Sequence, residues 1–157
     1  MLQRIQTLFL MLAVAALAAS FVFPIATIAA GSETASYTNY GLSVVNDGKV
    51  TIIESGFIYI VAGAAMLFLL FALTQYRKRK LQVSICRISY IIILAQLAMC
   101  FFMPDQAAAN IKFAGKVEVS AYGFGFYAPI IALVFTFLAE RFIRRDEALV
   151  RSADRLR

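Results

Sequence analysis

An all-α membrane bundle of four transmembrane helices is the fold class this sequence predicts, and three observations predict it. Mean hydropathy is +0.79 and 62% of the 157 residues are hydrophobic, which is too apolar for an ordinary soluble core. Four runs are long enough to cross a bilayer as helices, a task that takes roughly 20 mostly apolar residues. Those runs are continuously apolar, whereas the strands of a membrane barrel alternate over segments of about ten residues.

The first run covers about residues 5–30. Arg4 and the small residues of "TIAAGS" give it a weak resemblance to a signal peptide, but its apolar stretch exceeds the usual length of one and Pro24 lies inside it, so a retained helix is expected. Ala15 with Ala19, Ala16 with Ser20, and Ala26 with Ala30 stand at small-xxx-small spacing. That spacing lets backbones approach closely and predicts a central place in the bundle or a subunit contact. The second, third and fourth helices are expected over about 53–76, 81–103 and 122–139, which leaves loops 31–52 and 104–121 on one side and a tail, 140–157, on the other.

The two loops carry strand patterns. "LSVVNDGKVTII" places two β-favouring runs around Asn46, Asp47 and Gly48, the composition of a tight hairpin turn. In "IKFAGKVEVS", Ile111, Phe113, Val117 and Val119 alternate with polar residues, the mark of a half-buried strand. A lone hairpin is marginal in water, so the loops are expected to associate into a small antiparallel sheet capping the bundle, with two independent loops as the alternative.

Orientation follows the basic residues, which are retained on the cytoplasmic side. Arg4, Arg77, Lys78, Arg79, Lys80, Arg87 and the six arginines from Arg141 onward fall on one side, and only Lys49, Lys112 and Lys116 on the other. Both termini and the basic loop are therefore expected in the cytoplasm, with the sheet outside. The same placement accounts for the net charge of +6 without nucleic acid, since Arg77, Lys78, Arg79, Lys80 and Arg87 would sit at a membrane surface where anionic headgroups attract each cation by about 1 kcal/mol.

Chemistry is hard to find. There is no histidine, the commonest general base and metal ligand. Cys86 and Cys100 are fourteen residues apart on one helix, about 21 Å along its axis, so they cannot bridge each other; with no C-x-x-C pair they are expected to be small buried apolar residues. Glu54, Glu118 and Glu140 fall at span boundaries rather than at mid-depth, where a carboxylate would mark an ion path. Gln96, the most polar residue well inside a span, is expected to bond across to another helix, with substrate binding as the alternative. Arg87 either snorkels to the surface or pairs with Glu140. The aromatics of "AYGFGFYAP" read as an interfacial belt, or less readily as a ligand groove. No catalytic, cofactor-binding or metal residue can be nominated, and an enzyme is not expected.

The tail is more informative. On a helical projection Phe142, Ile143, Leu149, Val150, Ala153 and Leu156 share one face, and Arg144, Arg145, Glu147, Arg151 and Arg155 the other. Glu140 with Arg144, and Glu147 with Arg151, stand in the favourable i,i+4 order. Four acids against six arginines from Glu140 onward are too mixed for a helix that lies on lipid alone. Asp146 falls inside the apolar arc, where it either caps a second helix after a bend or meets a cation on the inner loop or on another protein.

Finally, "MLQRIQTLFL", "RKLQVSICR" and "RRDEALVRSADRLR" resemble, over the whole chain, an uncharacterised four-span membrane protein family of the Bacteroidota, classed as a domain of unknown function. The resemblance implies a multi-pass protein of a bacterial inner membrane and draws attention to Arg79, Lys80, Leu81, Cys86, Arg87 and the stretch from Asp146 to Arg157. The expected function is a non-catalytic accessory subunit of an inner-membrane complex, in contact with lipids and other membrane proteins. Its partners would be met through the basic loop and through Arg144, Arg145, Asp146, Glu147, Leu149, Val150, Arg151, Ser152, Asp154, Arg155 and Leu156 of the C-terminal helix. The alternative is a carrier for a lipid or small apolar molecule, held in the aromatic half of the bundle.

Overall fold

The computed structural model describes residues 2–30, 33–46, 49–76, 78–110 and 117–155. In chain order the elements are α1 (Leu2–Val22), β1 (Ala26–Ala30), β2 (Glu33–Thr38), β3 (Gly41–Asn46), β4 (Lys49–Ser55), α2 (Ile58–Thr74), α3 (Arg79–Asn110), β5 (Val117–Tyr122) and α4 (Phe124–Arg155). Among the described residues three helices, α1, α3 and α4, are long and apolar enough to cross a membrane, and α2 is a shorter apolar helix.

The expected first helix is cut short. Phe23 makes the last helical bond, to the Ala19 carbonyl at 3.1 Å; Pro24 has no N–H to donate and turns the residue before it away from helical geometry. Ile25 then donates to Tyr37 at 2.7 Å and opens the sheet. Ala26–Ala30 is thus a strand, and the Ala26/Ala30 pair is no helical motif. A short apolar run buried on a sheet has the same composition as a helix segment, which is why periodicity does not separate them.

Five antiparallel strands form one sheet in the order β4-β3-β2-β1-β5. The hairpin expected around residues 46–48 lies between β3 and β4, whose pairing ends at Asn46↔Lys49; Asp47 and Gly48 lie outside the described residues, as do Ile111 and Phe113. Strand β5, from the second loop, joins the sheet through β1, so the segment expected to be helix is the one that unites the two loops. Between β2 and β3 the chain turns tightly through Asn39 and Tyr40 to Gly41, whose φ of 126° suits glycine.

Two cores result. Leu10, Ala13, Leu17, Leu69, Ile93 and Ile143 are among the residues that fill the space between helices. Ile25, Ile28, Tyr37 and Leu42 pack the sheet onto Ile58, Cys100, Ala107 and Ala108. That second core explains why α3 continues past Pro104 to Asn110 rather than ending near residue 103: its last turns are the platform for the sheet. The fourth helix likewise runs unbroken from Phe124 through the expected tail to Arg155, with no bend at Asp146.

The helices connect two ends of the molecule, the sheet end and an opposite, basic end. Extensive contacts join α1 to α4, α2 to α3 and α3 to α4, while α1 and α2 meet more sparingly. In the apolar windows of α1, α3 and α4 only 28%, 33% and 39% of positions are buried, so large side chains such as Met11, Leu67, Ile91, Phe102 and Phe137 form an outward apolar band. Exposure on that scale is what helices in hydrocarbon present, and soluble monomers rarely do.

Candidate functional site

Polar side chains gather where the basic end begins. Arg79 opens α3, and its guanidinium lies 3.1 Å from Asp146 Oδ2 on the antiparallel α4, while a second nitrogen donates to the Asp146 carbonyl at 3.4 Å. Two turns along α3, Arg87 Nε donates to Glu140 Oε1 at 3.2 Å. Arg144 donates to that same oxygen from one turn further along α4. The result is a ladder of two ionic rungs between α3 and α4, 79–146 and 87–140.

The rungs differ in their exposure. The Glu140 side chain is 8% exposed, but its two arginines are more than half exposed. A carboxylate taken out of water needs such partners, whereas the guanidinia can keep much of their hydration. The buried Tyr90 hydroxyl lies beside the same carboxylate without a well-formed hydrogen bond. Asp146, the one acid in the tail's apolar arc, is neither a cap nor free for a partner. Its cation is Arg79 at the start of α3, and the approach is an ion pair without hydrogen-bond alignment.

Around the ladder, glutamines tie the remaining helices. Gln6 on α1 donates to the Phe142 carbonyl of α4 at 3.3 Å, and Gln82 on α3 to the Ala72 carbonyl of α2 at 3.1 Å. Phe9 stacks on Phe142 at 5.4 Å between ring centres. Along α1 a groove of about 710 Å³ opens, lined by Thr7, Leu8, Met11, Leu12 and Ala15 and, at the basic end, by Gln6, Tyr76 and Gln82 of α3. Ala15 faces this groove and is exposed, so the Ala15/Ala19 face is not packed closely on another helix of this chain; Leu10, Ala13, Leu17 and Ser20 are among the buried positions of α1. A second concavity, about 440 Å³, lies between α3 and α4 against Tyr90, Leu94, Leu133, Val134 and Phe137. It adjoins the ladder rather than the aromatic stretch near residue 124.

That aromatic stretch has a different role. A Cβ on Gly123 would strike the Pro24 carbonyl oxygen, and one on Gly125 would lie 2.5 and 2.7 Å from the Phe23 and Pro24 oxygens. Gly123 N–H donates to Ile25 at 2.8 Å and Gly125 N–H to Pro24 at 3.0 Å. The two glycines seat the start of α4 on the α1–β1 corner.

The comparison with protein families gives the chain its place. Residues 2–156 match the model described as Domain of unknown function (DUF4293). The chain belongs to the DUF4293 family. No curated protein matches this DUF4293 chain, so its geometry has to carry the functional reading.

Of the residues the sequence nominates in this DUF4293 protein, the fold brings Arg79, Arg87, Arg144 and Asp146 together with Glu140. Arg145, Leu149, Lys78 and Lys80 are exposed, and Glu147 is half-buried. Val150, Arg151, Ser152, Asp154 and Arg155 continue the helix, but their side chains, like Arg77 and Leu156 as a whole, lie outside the described residues. The Glu147–Arg151 pair falls there too.

Asn39, Gln96 and the two cysteines are buried as well. Asn39 in the β2–β3 turn donates to the Ser20 carbonyl at 2.6 Å and to its hydroxyl at 3.2 Å, tying the sheet to the end of α1. Gln96 is fully buried, but it does not bond across to another helix: neither amide atom has a partner among the described residues. Cys86 and Cys100 are buried thiols in different cores, the first between helices and the second beneath the sheet.

Proposed function

We propose that this protein spans a bacterial inner membrane four times, with both termini and the α2–α3 link in the cytoplasm, and serves as a non-catalytic accessory subunit that docks other proteins of a larger membrane complex. One observation carries the reading. The fourth helix is 32 residues long, about 48 Å, against a hydrocarbon core of about 30 Å, and the Arg79–Asp146 rung ties its distal part back to α3. A projecting helix fixed in this way loses little freedom when it docks, which favours binding. Leu149 and Arg145 are exposed along it, an apolar and a cationic contact on one rod.

The test is purification in mild detergent from cells making the protein at native level, followed by mass spectrometry. Wild type is set beside a double variant, Arg145→Glu with Leu149→Glu, which leaves the Asp146 rung in place. A defined set of membrane proteins should accompany wild type and be lost from the variant. If both bring down the same proteins, the projecting helix is not the docking element.

A further inference from the structure

The groove along α1 has a shape and polarity that specify an occupant. Its α1 wall runs from Gln6 to Ala15, nine residues or about 14 Å along a helix axis. That is close to half the thickness of the hydrocarbon core, the depth of one leaflet. Leu8, Met11, Leu12 and Ala15 give most of that length an apolar lining, and Gln6, Thr7, Tyr76 and Gln82 place polar groups towards its basic end. A molecule with a single polar end and an apolar chain of leaflet length matches this arrangement; a wholly apolar or wholly polar one does not.

Charge narrows the choice. The α2–α3 link that joins Tyr76 to Gln82 holds the run Arg77 to Lys80, and no Asp or Glu occurs between Glu54 and Asp105 or before Glu33. Arg79 is engaged by Asp146, but Lys78 and Lys80 are exposed and make no ion pair among the described residues. Lys78 and Lys80 thus stand in the chain between Tyr76 and Gln82, the two residues that close the polar end of the groove, with no acid in that stretch. We infer that the groove binds one anionic glycerophospholipid, with an acyl chain along α1 and its phosphate at Lys78 and Lys80. The inference rests on the reading of the helices as membrane-spanning, and extends it from general contact with lipid to a built site.

The experiment uses the full chain in nanodiscs made of equal parts phosphatidylglycerol and phosphatidylethanolamine, released into a native mass spectrometer. Wild type should retain one lipid per chain, with phosphatidylglycerol favoured roughly thirtyfold from two lysine contacts. Ala15→Trp, which fills the groove, should abolish that retention, and Ile91→Trp, on the outward face of α3, should leave it unchanged. Lys78→Gln with Lys80→Gln should keep a lipid but bring the preference close to one. Equal retention of the two lipids by wild type, or an Ala15→Trp protein carrying phosphatidylglycerol as wild type does, would overturn the site. Should Ala15→Trp not fold, the lysine pair decides alone. Both faces of a nanodisc present the same lipids, so this result is independent of which end faces the cytoplasm and of whether the tail docks a partner.

Discussion

At the scale of single residues, the positions that matter most to the fold are those whose side chains are smallest or least satisfied. Gly125 touches two backbone carbonyls that cannot retreat without moving the α1–β1 corner, so Gly125→Ala should destabilise the protein by about 2 kcal/mol through overpacking. Unfolding in detergent, followed by circular dichroism, measures this. Asn39→Ala removes the donor to Ser20 and should cost about 1–3 kcal/mol, because the buried Ser20 carbonyl loses that partner while the Ser20 hydroxyl keeps its bond to Leu17. Gln96 behaves in the opposite sense. Its buried amide has no partner to lose, and replacing an unpaired polar group with an apolar one of similar size is neutral or stabilising. Gln96→Leu should therefore unfold at the same temperature as wild type or a higher one; a clear drop would mean that the amide is satisfied by something bound. None of these three roles is visible in the sequence, where the glycines sit among aromatics and Gln96 resembles any interhelical amide, since contact geometry rather than residue type decides each of them.

At the scale of elements, the sequence and the fold agree where a long periodic or apolar pattern is read and part where a short one is. The cores of α2, α3 and α4 follow from their apolar runs, and the Arg87–Glu140 and Glu140–Arg144 contacts follow from spacing on helices that pack antiparallel. The β1 strand does not, because five residues soon after a proline, four of them apolar, carry no period that separates strand from helix. Asp146 is legible as an anomaly, an acid among apolar neighbours, but only the packing of α3 on α4 names Arg79 as its partner. The rung supplies a test of its own. Arg79→Asp places two carboxylates together and should destabilise the α3–α4 contact, while the exchange Arg79→Asp with Asp146→Arg should restore much of the loss, with a coupling of about 1 kcal/mol between the partly buried partners. Thermal unfolding of the two single variants and the exchange, compared as a cycle, gives that coupling directly.

At the scale of the whole molecule, the question is whether α2 crosses with its neighbours, for it has only 17 residues, about 26 Å of helix. Its connections argue that it does. One end is bound to the sheet, through Gly56 N–H to Tyr40 at 2.8 Å and Tyr59 N–H to Asn39 at 3.2 Å. The other is joined to the first turn of α3 by a short link in which Lys78 N–H donates to Gln75 at 2.9 Å. The sheet rests on the far end of α3, so α2 has to cover the distance between the same two levels that α1, α3 and α4 connect. The shortfall of a few ångströms against a bilayer costs only fractions of a kcal/mol per ångström, met by local thinning or by residues at the flanks such as Phe57 and Tyr76. A four-span arrangement puts the exposed positions 34 and 78 on opposite sides of the membrane, and a three-span one, with α2 lying along the surface, puts them on the same side. Single reporters Thr34→Cys and Lys78→Cys, with the native thiols at 86 and 100 buried, distinguish the two in living cells treated with a membrane-impermeant maleimide. Position 34 should label once the outer membrane admits the reagent, and position 78 only after the inner membrane is opened. Labelling of both positions before that opening would make α2 a surface helix and leave α1, α3 and α4 as the spans; labelling of position 78 alone would keep four spans and turn the molecule over.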